Sequence, residues 1–581
     1  MDENLKKLRE HMKRESVDFY FVPTRDEHNN EYVPPHCQRR TWLTHFTGSY
    51  GEALVGLKQA FLWTDPRYFL QAEKELVGTG FQLMKQFQGV SAPIPHWLSE
   101  HAINATVGVD PKLISLSQQQ QWENALAQVN GRLMAFPDNW IDLLWTQRPA
   151  PHFSKIHILD EKYTGLTAAE KLIQVREALK KIHADTLVIS QLDEIAWLFN
   201  IRGHDIPFNP LCTAYAIITL SEAFLFVHKG CVDDAAYFSH HHISLKSYDD
   251  FPAVLQQLDS DVCIDPASTS WWVATQLSKA TVIKKTSPIV MLKAIKNNTE
   301  LKGMREAHYL DAIAMVKFLH WLEAHWYDGE TEITVANQLE KFRKAEARCK
   351  DLSFPTICGY ADHGAIVHYM AQQGTAHAIS DSDLLLIDSG GQYFEGTTDI
   401  TRTLHLGKPT LQQKKHYTLV LKGHLSLRHA QFPDGTCGEH LNAIARLPLW
   451  NEGLDFGHGT GHGVGCYLCV HEGPQRISGG ASGVPLKPGM VVSNEPGVYF
   501  PGEYGIRIEN VCAIVKTKTE GFYTFEDLTL VPYARNLIDK SLLSEEEILW
   551  IDEYHQAIYD LLGNALSSEE KIWLKHATAV L

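Results

Sequence analysis

Stripes of apolar residues at helical spacing alternate with short, fully apolar runs along most of the chain. In the charged N-terminal stretch, Leu5, Leu8 and Met12 recur every three to four residues, which predicts an amphipathic helix. The run Asp18-Phe-Tyr-Phe-Val22 that follows is short and rich in aromatic residues, as strands are. The same succession then returns. LREHMKRESVDFYFVPTRDEH is matched by VREALKKIHADTLVISQLDEI, so that Glu10, Asp18, Asp26 and Glu27 recur 167 residues later as Glu177, Asp185, Asp193 and Glu194. Trp42-Leu43 with Gly48 corresponds to Trp197-Leu198 with Gly203 at a spacing of 155, and Ala60-Phe-Leu-Trp63 to Ala223-Phe-Leu-Phe226 at a spacing of 163. A drifting spacing is expected where elements persist and loops vary. The pattern predicts a duplicated α/β unit, residues 1–150 and 151–288, joined near Arg148-Pro-Ala-Pro151, with helices covering strands such as Thr186-Leu-Val-Ile189.

A third domain is expected over 289–581, beginning after Ser287-Pro288. Asn298 or Thr299 can cap a long helix whose apolar stripe is Ala312, Met315, Leu319 and Leu322. Beyond it, short strands alternate with helices. After Leu530-Val-Pro532, the segment SLLSEEEILWIDEYHQAIYDLLG has capping signals and helical spacing but no site chemistry, and reads as a packing element. The two duplicated domains concentrate few reactive residues. Their triplet His240 to His242 reads as a solvated polar loop, and the pair as a scaffold or substrate gate.

Charge narrows the function. A formal net charge of −16 and a pI near 6.0 argue against nucleic acid or an anionic membrane as partner, since both require a basic surface. The richest apolar stretch, Ala214 to Val227, is interrupted by Thr219, Ser221 and Glu222, too early for a membrane span. The charged first helix is unlike a signal peptide, so a cytoplasmic protein is expected. In that reducing setting the ten cysteines read as small buried apolar residues. Cys466 and Cys469 alone have ligand-like spacing, and they lack the second pair that a structural zinc site needs.

The candidate chemistry centres on LLLIDSGGQYFEGTTD, an apolar run that ends in Asp388 and reaches Asp399 eleven residues later. Two antiparallel strands joined through Gly390-Gly391 and Glu395-Gly396 would bring both carboxylates to one face, where they repel unless a cation lies between them. Asp beside Gly is also ordinary turn chemistry. Three further segments set ligand-type residues beside glycines: FGHGTGHGVG around His458 and His462, SNEPG around Glu495, and GIRIE around Arg507 and Glu509. His458 and His462 have the spacing of one helical face. Gly459 stands where zincin chemistry needs Glu, which excludes that mechanism.

Taken in order, DSGGQYFEGTTDITRT, HGTGHGVG, NEPG and GIRIEN resemble the metallopeptidases of the pita-bread fold, in particular the three-domain cytosolic Xaa-Pro aminopeptidases. LSFPT, GAIVHY, VHEGP and DEIAWLFN are further phrases of that family, and the resemblance extends over essentially the whole chain. It implies an α/β (α+β) architecture of two creatinase-like N-terminal domains and a C-terminal pita-bread catalytic domain. It also implies a dinuclear site in which Asp388 holds one ion, His462 and Glu495 hold the other, and Asp399 and Glu509 bridge both. Hard ligands of this kind suit Mn²⁺, with Zn²⁺ or Co²⁺ able to substitute. Two such ions would draw hydroxide from a shared water and polarise the scissile carbonyl.

By the same resemblance Glu495 shuttles the proton from water to the leaving nitrogen. His368 and His471 hydrogen-bond the substrate and the developing oxyanion, His458 helps form the proline pocket, and Arg507 with Tyr499 closes it. The implied substrates are short peptides with a free N-terminus and proline in second position, cleaved by a homodimer. Two other readings compete: a prolidase-type Xaa-Pro dipeptidase, which usually has a single N-terminal domain, and a non-catalytic pita-bread peptide-binding protein, which should have lost ligands. The segment Ile357-Cys-Gly-Tyr-Ala-Asp-His363 departs from the family pattern in its Tyr360, Asp362 and His363.

Overall fold

The structure is a computed structural model describing residues 2–86 and 93–581. It comprises two compact units, Met1–Lys293 and Ala294–Leu581.

The first unit contains the duplication as two six-stranded sheets of identical topology. In one, the strands run Gln82–Lys85, Ala60–Thr64, Glu52–Gly56, Phe19–Pro23, Thr106–Val109, Arg132–Ala135 from edge to edge. In the other the order is Ser244–Ser247, Ala223–Val227, Ala214–Thr219, Thr186–Ile189, Asp261–Ile264, Thr281–Lys284. Both sheets pair antiparallel at their second and third junctions and parallel at the rest. The side-chain period of two explains why their inner strands, such as Phe19–Pro23 and Thr186–Ile189, are largely apolar. Tyr20 and Val22 pack on one face with Leu5, Leu8 and Met12, and Phe21 packs on the other with Trp97, Leu98 and Trp122, so no strand face is left to water. The first helix, Glu3–Arg14, starts where the Asp2 side chain accepts from the Asn4 and Leu5 amides. Its counterpart, Ala168–Lys181, starts with a capping box of Thr167 and Glu170. One expectation holds only in part here. Residues Ala235–His240 are helical and His241 is buried beside Tyr237, while His240 and His242 are exposed as expected.

The second unit is organised along the helix Asn298–His325. Its capping box is Asn297 with Glu300, one residue before the expected cap, since Asn297 is the residue with extended backbone. Ala312, Met315, Leu319 and Leu322 are buried as the stripe predicts. Around it lie the three-stranded sheet Ile357–Tyr360, Leu384–Ser389, Ile400–His405, and the four-stranded sheet Phe432–Pro433, Phe522–Asp527, Asn510–Lys516, Val491–Asn494. The tail helix Glu545–Leu562 is capped by Ser544 and Glu547 and buries Ile551, Ile558 and Leu562. The ten cysteines form no disulfide, and nine of them are buried.

One buried ion pair locks the long helix. Arg343 Nε and Nη2 donate to Asp311 at 2.7 and 3.1 Å, and the Tyr393 hydroxyl donates to the same carboxylate at 2.9 Å. Removing one partner of such a pair strands a charge in the interior. Asp311→Ala should therefore destabilise this unit by about 3–5 kcal/mol, lowering its thermal midpoint by on the order of 10 °C, measurable by calorimetry.

Candidate active site

Strand register places the acids. Leu384–Ser389 pairs antiparallel with Ile400–His405, setting Asp388 opposite Thr401, so Asp399 stands just before the partner strand at the same end. The connection is longer than a simple turn. Gly391–Tyr393 and Gly396–Thr397 form a hairpin that joins a different sheet, with Cys349–Leu352 at its edge. In the second sheet Asn494 pairs with Asn510, so Glu495 and Glu509 flank the same end of that ladder. The Glu509 amide donates to the Thr401 carbonyl at 3.1 Å, which closes one sheet end onto the other.

The histidine segment is not the helix its spacing suggested. Gly461–His462 is a short strand paired with Arg476–Ile477, because a Cβ at Gly461 would lie 2.0 Å from the Ser493 carbonyl oxygen and only glycine allows that approach. His462 Nε2 lies 3.4 Å from both Asp399 Oδ2 and Glu495 Oε1. Its Nδ1 donates to the Gly463 carbonyl at 2.9 Å, the tautomer that turns the Nε2 lone pair inward. Ser493 Oγ accepts from the His462 amide at 2.9 Å and donates to Glu495 Oε1 at 3.1 Å. Thr401 Oγ1 donates to Glu509 Oε2 at 2.7 Å. Neither hydroxyl stood out in the sequence, although both lie inside the motifs as small polar neighbours of acids.

Asp388, Asp399, His462, Glu495 and Glu509 thus converge, and Asp399, His462 and Glu509 offer ligand atoms within 4.8 Å of one another. The cluster is short of positive charge. Burial pushes the Asp388 carboxyl up to about 7, against the pull of Arg507 and with the push of Asp399. Burial first, then the Asp399 charge, raises Glu509 far above the carboxylate range, and burial raises Glu495 as well. For His462 burial works against the cation, but the bond to Asp399 and the charge of Glu495 outweigh it and push the imidazole up to about 9. Asp388 Oδ1 and Glu509 Oε1 are buried with no hydrogen-bond partner. Two orphaned carboxylate oxygens in a four-acid, one-imidazole cluster fit divalent cations: each is costly unpaired, and each is the hard donor such ions take.

The other expected residues surround this cluster. His471 packs edge-on against His462, ring centroids 4.4 Å apart. The residue before His368, Val367, accepts from Arg507 Nη2 at 3.3 Å through its carbonyl. His458 Nδ1 donates to the Gly459 carbonyl at 2.7 Å, leaving Nε2 to accept from the Tyr499 hydroxyl at 2.7 Å. Tyr499 in turn accepts from Arg507 Nη1 at 2.8 Å, and Arg507 Nη2 binds Asp388 Oδ2 at 2.7 Å. Arg507, expected to close the proline pocket together with Tyr499, is bonded to that tyrosine from within the protein. Its side chain is 1% exposed and its Nε also binds Thr401 Oγ1, so every guanidinium nitrogen is committed inside the protein. Its partners at the cluster are Tyr499 and Asp388.

With this geometry in view, comparison with known proteins is direct. Residues 302–516 match metallopeptidase family M24, residues 4–136 and 147–300 each match the creatinase/prolidase N-terminal domain, and residues 521–581 match the C-terminal region of the M24 peptidases. A probable Xaa-Pro aminopeptidase P of Laccaria bicolor is 40% identical over 608 residues, covering 100% of this chain and 93% of the relative. One from Sordaria macrospora is 42% identical over 606 residues, covering 99% of each. The crystal structure of X-prolyl aminopeptidase from Caenorhabditis elegans, described as a cytosolic enzyme with a di-nuclear active site, superimposes with a TM-score of 0.95 at 35% identity, covering 100% of this chain and 99% of that one. The prolidase from Pyrococcus horikoshii covers 63% of this chain with a TM-score of 0.50 at 26% identity. The fold and the acidic cluster define a metallopeptidase of the pita-bread class. Within it, the chain belongs to the Xaa-Pro aminopeptidase P family.

The charge deficit has a measurable consequence. Carboxyls raised by the fold hold protons that the unfolded chain has lost, so the contribution of Asp388 falls as pH rises from the ordinary carboxylate range to about 7, and that of His462 is lost as pH rises through about 9. Divalent cations displace those protons. The rise in thermal midpoint on adding Mn²⁺ to metal-stripped protein should therefore be larger at pH 8 than at pH 5, and Asp399→Asn should remove most of it, as scanning calorimetry would show.

Proposed function

We infer that the protein is an aminopeptidase that hydrolyses the bond between an N-terminal residue and a following proline. The observation that carries this is the convergence of all five ligand-type residues, with two oxygens left unpaired, in a chain that matches Xaa-Pro aminopeptidases over its full length. In this reading residues 1–150 and 151–288 are the creatinase-like domains and 289–581 the catalytic one. Asp388 would hold one ion, His462 and Glu495 the other, and Asp399 and Glu509 both, Mn²⁺ being the ion that four carboxylates favour. When bound, two such ions supply an activated water and a polarised carbonyl.

The chain's own residues do the rest. Glu495, carrying a raised carboxyl beside Ser493, takes the proton from the attacking water and delivers it to the proline nitrogen, which has no N–H of its own and must be protonated to leave. His471, against His462, and His368, beside the Arg507-bound backbone, reach the substrate backbone and the developing oxyanion. His458 and Tyr499 shape the proline subsite, and Arg507 holds Tyr499 and Asp388 in register. The reading extends to a cytosolic homodimer. It prefers the aminopeptidase over the prolidase because the X-prolyl aminopeptidase of Caenorhabditis elegans covers 100% of this chain, duplicated unit included, whereas the Pyrococcus horikoshii prolidase covers 63% of it.

Three outcomes test this. Asp399→Asn should abolish turnover while the fold stays cooperative, and full activity in rigorously chelated protein would refute the metallopeptidase reading. Replacing His368, His458 or His471 by Ala should cut kcat by about 10²-fold or more with metal content retained by elemental analysis; metal loss in His471→Ala would give that residue a different role. An Xaa-Pro-Xaa peptide with a free amine should be cleaved in preference to its N-acetylated form and to the same peptide with Ala in second position. Faster cleavage of the dipeptide Gly-Pro would mark a prolidase, and cleavage of neither by metal-loaded protein would mark a peptide-binding protein.

A further inference from the structure

The segment that departs from the family pattern builds a second cluster, which shares no residue with the acidic site. Asp362, His363 and His377 offer ligand atoms within 4.8 Å of one another. The two imidazole rings lie nearly parallel, centroids 3.8 Å apart and planes 12° apart, and His377 Nε2 lies 2.9 Å from Asp362 Oδ1.

What distinguishes this cluster from a chance grouping is the support behind it. Glu332, fully buried, takes His363 Nδ1 at 2.9 and 3.0 Å on its two oxygens. It also accepts from the Tyr360 amide, the Tyr369 hydroxyl and the His377 amide, each at 2.8 Å. One carboxylate therefore fixes the ring and tautomer of His363 and the backbone of His377. With Nδ1 donating to Glu332, His363 Nε2 is left as a lone-pair acceptor, and it makes no hydrogen bond among the described residues. A carboxylate behind a histidine, orienting it and raising its basicity, is the usual backing of a metal-ligating imidazole. Burial works against the Asp362 carboxylate, but the bond to His377 and the nearby His363 together outweigh it and keep the group below its ordinary range.

We propose that Asp362, His363 and His377 form a binding site for a further divalent cation of the zinc type. Two imidazoles and one carboxylate are the borderline donors that Zn²⁺ takes, in contrast to the oxygen-dominated set around Asp388, and three protein ligands leave a fourth tetrahedral position to water. The cation would bridge the two ends of the loop that carries His368, since His363 precedes it, His377 follows it, and Tyr369 is already tied to Glu332.

The test uses the full-length protein preloaded with Mn²⁺, dialysed to equilibrium against micromolar Zn²⁺, with total metal per chain measured by mass spectrometry. Wild type should hold one ion per chain more than His377→Ala and more than Asp362→Ala. Both side chains are about two-fifths exposed, so neither truncation opens the core, and far-ultraviolet circular dichroism verifies the fold. The difference between the proteins is the readout, so the result stands whatever the occupancy of the acidic site. Equal metal content in wild type and both variants overturns the proposal.

Discussion

The catalytic unit is built around an electrostatic conflict. Four carboxylates and an imidazole are held in the interior, where burial and the neighbouring acids disfavour the ionisation of Asp388, Glu495 and Glu509. Such a cluster is unfavourable as protein structure alone. It is held by backbone geometry that would form regardless: two antiparallel ladders whose ends meet where the Glu509 amide bonds the Thr401 carbonyl. Because the acids sit at strand ends, their positions follow from register, and a one-residue slip would turn them to the opposite face.

The surrounding polar groups direct the conflict. Ser493 and Thr401 each hold one oxygen of an acid, so the remaining oxygens of Glu495 and Glu509 are aimed rather than free to rotate. Arg507 neutralises part of Asp388 and carries that constraint through Tyr499 to His458. A single buried guanidinium thus couples Asp388, a proposed metal ligand, to the proposed proline subsite, and its value lies in those fixed distances. Glu332 does comparable work for the loop of His368, gathering four donors from residues 360 to 377 onto one buried carboxylate.

The duplicated unit illustrates a different balance. Its two sheets share strand order and the sense of every pairing while the loops between strands differ in length, because the buried faces constrain the strands and water constrains the loops very little. Glycine at the catalytic strands follows the reverse logic. A Cβ at Gly505 would lie 1.8 Å from the Gly364 carbonyl oxygen, so close backbone contact, and not loop freedom, dictates the residue.

Much of this was legible in the residues alone. Apolar runs alternating with helical stripes announced strands covered by helices, the recurrence of Asp18 and Asp26 at Asp185 and Asp193 announced the duplication, and the apolar run that ends in Asp388, with Asp399 eleven residues on, announced the pair of acids. Local spacing is enough for such inferences because helix and strand periods are short-range. It says less at His458 and His462, whose helical spacing is not realised because Gly461 and His462 pair as a strand with Arg476–Ile477, and at Arg507, whose burial depends on partners from Val367 to Tyr499. Thr401, Ser493 and Glu332 gave no signal, since a hydroxyl or acid acquires its role only from what lies across the fold from it. Glu332 and His363 are 31 residues apart and Thr401 and Glu509 are 108 apart, and contacts at that range exist only once the sheets have closed.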